Sequence, residues 1–152
     1  IRSDLINQGV TCVTDFSSDA ATVKGDRVQL QQVLINLVMN ACDAMQGVPR
    51  KDRQLRVRCL ATAGTCQVHV EDRGPGVPAE QIESIFSAFY TTKATGMGLG
   101  LAVCRTIINA HRGQLWASNN PDGGLTVAFE LQAVDHDVGT KHDKRETDRI
   151  PG

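Results

Sequence analysis

At 152 residues and 41% hydrophobic content, the chain is one domain's worth of sequence with enough apolar residues for a single buried core. A formal charge of −1 excludes the basic footprint of a general nucleic-acid or membrane-surface binder. No run reaches the apolar length of a membrane span, and the first residues do not resemble a signal peptide.

The chain begins at Ile1 without a methionine, inside IRSDLINQG, which reads as the end of a helix. Residues 1–9 are therefore expected to be the close of a preceding helix or linker, in a piece of a longer protein. Val10 to Phe16 alternates and is rich in β-branched residues, so it reads as a strand after the Gly9 break. A polar loop follows, and Asp26 is placed to cap the next element.

That element, QLQQVLINLVMNACDAM from Gln29 to Met45, organises the chain. Leu30, Val33, Leu34, Leu37, Val38, Ala41 and Met45 recur at the three- and four-residue spacing of one helix face. Asn36, Asn40 and Asp43 then share a flank roughly 100–160° from the centre of the stripe. Asn competes with the backbone for hydrogen bonds and is a poor helix former, so two of them one turn apart ask for a reason. Either the flank is a solvated edge, or an amide oxygen helps hold a hard cation such as Mg²⁺, which prefers oxygen ligands. Pro49 forbids continuation past about Gly47.

Gln54 to Thr62 and Thr65 to Glu71 read as a strand hairpin. Pro78 suits the start of a short helix, Ala79 to Phe86, and Ser87 to Met97 reads as a mobile loop. Leu101 to His111 has a helical pattern. Gln114 to Ser118 and Leu125 to Leu131 are the last strands, joined by an Asn119-Asn120-Pro121-Asp122-Gly123-Gly124 turn. Residues 134–152 are charged, almost free of large apolar side chains, and expected to be disordered. The expected unit is 10–133, an α+β two-layer sandwich with helices on one face of a mixed sheet. Strict strand–helix alternation, as a doubly wound dinucleotide fold needs, is missing. The five cysteines (Cys12, Cys42, Cys59, Cys66, Cys104) are odd in number and scattered without a C-x-x-C pair. They suit reduced, mostly buried thiols in a cytosolic protein.

Two stretches carry chemistry. Asp72-Arg73-Gly74-Pro75-Gly76 sets a carboxylate at a strand end before two glycines, where it can accept from an exocyclic amine such as that of adenine or simply form an Asp-Gly turn. Gly96-Met97-Gly98-Leu99-Gly100 feeds a helix N-terminus, a natural anion site. No G-K-[ST] follows, so it is not a Walker loop, and it lacks the dinucleotide fingerprint.

In this order the pieces resemble the ATP-binding catalytic domain of sensor histidine kinases, of the superfamily that includes gyrase, Hsp90 and MutL. NLVMNACDAM resembles the family's N box, Asp72 to Gly76 its G1 box, and Ile85 to Lys93 its F box. Gly96 to Leu101 is similar to the G2 box and Gly123-Gly124-Leu125-Thr126 to the closing glycine-threonine turn. The resemblance spans roughly residues 10 to 132. It implies a Bergerat-type α/β sandwich binding ATP and Mg²⁺, with Asn40 the magnesium ligand and Asn36 beside the phosphates. Asp72 would hold the adenine amino group, with Gly74 and Gly76 shaping that pocket, and Val77, Phe86 and Phe89 would also bind the nucleotide. Gly96, Gly98 and Gly100 would line the phosphates, the loop around Thr91 to Met97, with Thr92 and Lys93, would be the lid, and Asp43, Leu99, Leu101 and Thr126 would also bind the nucleotide. Lys93, the one basic side chain between Ser87 and Met97, is expected either to reach the γ-phosphate or to remain a solvated lysine. Asp43 stands where some histidine kinases have lysine and another subset an acid.

Hydrolytic members of the superfamily carry a Glu one turn before the magnesium Asn, able to activate water. Here that position is Asn36, a weak base. The resemblance therefore implies MgATP held with little hydrolysis and a γ-phosphoryl group offered to a delivered nucleophile, as in a protein-histidine kinase. His69 sits within a strand, His136 and His142 lie in the polar tail, and His111 reads as a helix-end residue, so none is taken as the family's acceptor. The acceptor is expected on a separate dimerisation domain before Ile1, with a response regulator receiver domain as further partner and no contact with nucleic acid or membrane. The domain is expected in the cytoplasm. Alternatives are a clamping ATPase, a serine kinase of the anti-sigma type, and a degenerate binding module.

Overall fold

The computed structural model describes residues 2–16, 22–62, 64–90 and 98–134. Helix α1 (Arg2–Asn7) is stopped at Gly9, whose N–H reaches Ile6 O at 3.0 Å while Val10 N–H reaches Leu5 O at 2.9 Å. This 6→1 and 5→2 pairing fixes the exit of a helix. It turns buried Val10 into the core and starts strand β1 (Thr11–Phe16).

Helix α2 (Arg27–Ala44) forms as its pattern requires. Asp26 caps it, accepting from Gln29 N at 3.0 Å, a contact worth about 1 kcal/mol. The stripe faces inward: Val33, Leu37, Val38, Ala41 and Met45 are buried, with Leu30 and Leu34 packed at the margin. Past its end the chain is fastened by Arg53, whose guanidinium donates to Val48 O (2.8 Å), Gln46 O (2.8 Å) and Gln8 O (2.7 Å). One permanently charged fork thus serves the negative ends of both α1 and α2.

Strands β2 (Gln54–Thr62), β3 (Thr65–Glu71), β4 (Gln114–Asn119) and β5 (Leu125–Gln132) complete a five-stranded sheet in the order β1-β2-β3-β5-β4. Only β1 and β2 run parallel; the other neighbours are antiparallel, so the sheet is mixed. Helices α2 and α3 (Gly100–Ala110) pack on each other and on one face of it. In β3 the alternation is plain. Cys66, Val68 and Val70 turn to the helices, while Gln67, His69 and Glu71 turn to water. On that open face Arg58 pairs with Glu71, and His69 meets Trp116 edge-on at 6.1 Å. The two-layer α+β sandwich is the architecture the element order requires.

His111 joins the two helices. Its Nε2 accepts the Asp26 N–H at 2.9 Å, so the ring proton sits on Nδ1, 2.7 Å from Ile107 O. All five cysteines are free, Cys42, Cys66 and Cys104 being buried; the Cys59 and Cys66 sulfurs lie 3.6 Å apart. Burial pushes the Cys66 thiol up to about 11.

One expected element differs. Ala79 to Phe86 is not a single helix but two 3₁₀ turns, Ala79–Gln81 and Ser84–Phe86. Its bonds run i to i+3, from Gln81 N to Pro78 O (2.8 Å) and from Ser87 N to Ser84 O (3.0 Å), the tight form favoured in short pieces. At the far end, Val134 N still bonds Thr22 O at 2.7 Å. The rest of the tail expected to be disordered, and residues 91–97 of the expected loop, lie outside the described residues. Among the described residues no helix is long and apolar enough to cross a membrane.

Leu55, at 0% exposure in β2, rests on this packing alone. Leu55→Ala is expected to cost about 3 kcal/mol of unfolding free energy in urea titration. A cost within about 0.5 kcal/mol would contradict the packed core, since surface substitutions fall in that range.

Candidate functional site

Where β3 ends, the chain leaves the sheet between the end of α2 and the start of β5. A cleft opens there, about 420 Å³ including the solvent at its mouth. Its floor and one wall are apolar: Leu37, Ala41 and Ala44 from α2, Val70 and Val127 from the sheet, and Leu101 from α3. Leu37, Asn40, Ala41 and Ala44 follow the i, i+3, i+4, i+7 spacing of a single helix face, and the two alanines leave the slot open. The other wall is the irregular segment Gly76-Val77, with Leu125 beside it.

Asp72 sits at one end, 5% exposed. Its Oδ1 accepts from Gly74 N at 2.7 Å and from Leu125 N at 3.2 Å. Both bonds go to one oxygen, which leaves Oδ2 for a ligand. Burial raises the Asp72 carboxyl above its ordinary 3.8, and the Gly74 and Leu125 amides pull in the opposite direction. Gly124, at φ +95°, is what allows Leu125 to come so near: a Cβ there would stand 1.9 Å from Asp72 O.

At the other end, the two asparagines of α2 meet the first turn of α3. Asn36 Nδ2 donates to Gly100 O at 3.4 Å. The Asn40 carboxamide lies beside Gly100, with Nδ2 3.6 Å from where a Cβ would be. No side chain caps α3 among the described residues, so its leading amides are left for a ligand. Beneath Asn36, burial pushes the Cys104 thiol up to about 11, partly offset by the Asn36 amide, so it stays neutral.

Of the residues the sequence nominated, Asn40, Asp72, Gly76, Val77 and Leu101 line the cleft. Gly100 joins them through Asn40, and Gly74 is buried behind Asp72. Leu99 precedes α3, and Gly98 accepts the Phe89 N–H on its O at 3.0 Å. Others are not brought there. Asn36 braces α3 rather than lining the slot. Asp43 lies off the lining face, 3.4 Å from Gln46 Nε2. Phe86 is buried in the core, its ring 4.6 Å below the Arg105 guanidinium, and Phe89 is 76% exposed. Thr126 points to the opposite sheet face and donates to Asn120 Oδ1 at 2.5 Å; its neighbour Leu125 faces the cleft, because successive strand side chains alternate. Thr91, Thr92, Lys93, Gly96 and Met97 lie outside the described residues.

Sequence reasoning missed the apolar lining supplied by α2 and the sheet, and two polar supports, Asn119 and Asn120. Asn120 Nδ2 donates to Asp72 O at 3.3 Å. Of that lining, Ala41 was visible as a small residue on the inward stripe. The supports carried only the signal of an Asn pair beside a turn, where such side chains bond backbone.

The slot suits a flat ring with an amine at its Asp72 edge and anionic groups at its α3 end. Over residues 25–135 the chain matches the family described as histidine kinase-, DNA gyrase B-, and HSP90-like ATPase. It is 46% identical over 120 residues to the sensor histidine kinase TmoS of Ectopseudomonas mendocina, and 44% identical over 122 residues to the sensor protein FixL of Bradyrhizobium diazoefficiens. Those matches take in 78% and 79% of this chain but only 12% and 24% of the relatives' lengths. Among solved structures, the catalytic domain of histidine kinase ThkA superposes with a TM-score of 0.76 at 32% identity, covering 86% of this chain and 85% of that one. ThkA in complex with the response regulator protein TrrA matches with a TM-score of 0.74 at 29% identity, covering 88% of this chain and 37% of that one.

The raised Asp72 carboxyl has a measurable consequence. Between 3.8 and its higher folded value, the native protein keeps a proton that the unfolded chain has lost. The stability it contributes is full below the unfolded value and is lost as pH rises through the folded one. Urea titrations from about pH 4 to about pH 7 should show wild type losing stability relative to Asp72→Asn, which cannot ionise. Parallel curves would contradict a carboxyl buried as described.

Proposed function

The chain belongs to the histidine kinase-, DNA gyrase B- and HSP90-like ATPase family, as the ATP-binding catalytic domain of a histidine kinase, and we propose that it positions MgATP for γ-phosphoryl transfer to a histidine on a separate dimerisation domain. The unit doing so is residues 10–133, in the cytoplasm, within two-component signalling. A response regulator receiver domain is the further partner, a reading supported by the ThkA–TrrA complex. The observation that carries the proposal is the polarity of the cleft, with a buried carboxylate at one end and an amide beside an uncapped helix start at the other.

The roles follow from the chemistry of each group. Asp72 Oδ2 accepts from the adenine amino group, and the apolar walls sandwich the ring. Gly98, Leu99 and Gly100 let phosphates approach the start of α3, where free N–H groups and the helix dipole favour negative charge. Asn40 offers an amide oxygen of the hard type magnesium prefers. One protein ligand suffices for an ion that keeps phosphates and waters in its shell, and no cluster of three metal-binding side chains exists among the described residues. Bound there, magnesium would neutralise phosphate charge. Lys93 would reach the γ-phosphate from a lid comprising Thr91, Thr92 and Met97, and Gly96 would line the phosphates.

Asn36 sets the kind of reaction. An amide cannot take a proton from water, and its Nδ2 is engaged with Gly100 O. Transfer to a delivered nucleophile is then favoured over hydrolysis.

Calorimetry of the chain with ATP in magnesium buffer should show binding, and Asn40→Ala should weaken it about tenfold, the loss of one charge-assisted contact. Unchanged affinity would remove Asn40 from the site. With labelled ATP and a matching dimerisation domain, label should appear as acid-labile phosphohistidine. Acid-stable phosphoserine, or brisk release of inorganic phosphate, would overturn the assigned reaction.

A further inference from the structure

The wall formed by Gly76 and Val77 belongs to no helix or strand, and so has no ladder of its own to hold it. Both backbone groups of Val77 are instead taken by one side chain. Asn119 Oδ1 accepts the Val77 N–H at 2.9 Å, and Asn119 Nδ2 donates to Val77 O at 2.6 Å. The carboxamide thus does for one residue what a neighbouring strand would do. Gly76, at φ +74°, closes the fit: a Cβ there would lie 2.6 Å from Asn119 Oδ1, so the position accommodates the amide only as glycine. Asn119 ends β4, and its own turn is closed by Asn120 N to Gly124 O at 2.9 Å. That turn in turn sends Asn120 to Asp72 O and Leu125 N to Asp72 Oδ1.

We propose that Asn119 is a positioning residue for nucleotide recognition: it sets the Gly76–Val77 wall at the distance from α2 that lets a purine reach Asp72. The proposal rests on the nucleotide reading above. Only Asn has both the donor and the acceptor at this reach. Aspartate keeps the acceptor for Val77 N–H but turns a second oxygen onto Val77 O, and alanine supplies neither. Without the clamp the wall is tied through its ends alone. The ring then sits loosely, and the discrimination exercised by Asp72 declines with it.

The test is calorimetry on the whole chain with ATP and with inosine triphosphate, which carries an oxo group in place of the 6-amino group. Asn119→Ala is expected to bind ATP about tenfold more weakly and to lose most of the wild-type preference for ATP over inosine triphosphate. Hydrogen exchange at the Val77 amide should quicken in the same variant. The base preference is the deciding readout, because a residue that merely steadied the turn would leave it unchanged. Asn119→Asp, which keeps one of the two bonds, is expected to shift in the same direction and serves if the alanine variant does not fold. A folded variant with wild-type base preference would overturn the proposal. Failure of the wild-type chain to bind ATP at all would overturn the nucleotide reading itself, and that arm is separate.

Discussion

The structure depends on the burial of one carboxylate. Asp72 sits where β3 runs out of sheet, almost without contact with water, and an acid in that position is costly unless its oxygens are met by donors. The donors are backbone amides, from Gly74 two residues on and from Leu125 across the sheet. Supplying the second requires β5 to begin flush against the loop, which no side chain at position 124 would permit. Oδ1 is consumed in holding the loop, and Oδ2 is the oxygen left for recognition. A single residue thereby ties the end of one strand to the start of another and marks one end of the cleft.

Helix α2 has two duties that its periodicity keeps apart. Val33, Leu37, Val38 and Ala41 anchor it to the core, while Leu37, Asn40, Ala41 and Ala44 form the floor of the cleft. The overlap at Leu37 and Ala41 matters, because the floor cannot tilt without disturbing the core. At its start α2 is joined to the end of α3 through His111, and midway along it the Asn36 amide reaches the first residue of α3. Two contacts at opposite ends of α3 fix its axis relative to α2. The start of α3, which has no side-chain cap among the described residues, is held in direction as well as in place.

Much of this was legible because its causes are local. The α2 stripe, the Asp26 cap and the hairpin of β2 and β3 follow from periodicity and turn residues, and the element order implied the two-layer sandwich. The site was legible only in part. Glycine-rich turns and paired asparagines marked the polar ends, whereas Thr126 was nominated by its place in the closing glycine-threonine turn although strand phase gives the cleft to Leu125. That phase is shared with Ser118 across the turn and with Glu71 of β3, the latter far away in sequence. Phe86 shows a similar effect, since an aromatic in a motif carries no mark of whether it faces a pocket or a core. The 3₁₀ turns replaced a helix because so short a segment gains little from regular i to i+4 bonding. Asn119 lay beyond local reach, its partner being 42 residues away.

The contact between Asn36 and Gly100 links packing to reaction type. The amide at position 36 donates to a carbonyl at the head of α3, and a carboxylate there would present oxygen to oxygen with no proton between them. The side chain that a hydrolytic site would use as its base is therefore at odds with this helix junction. In its place is a group that braces the helix and has no basicity to offer water. Under the proposed reading, water activation is disfavoured by the same hydrogen bond that braces the start of α3, and the phosphoryl group would be left to a nucleophile brought from outside.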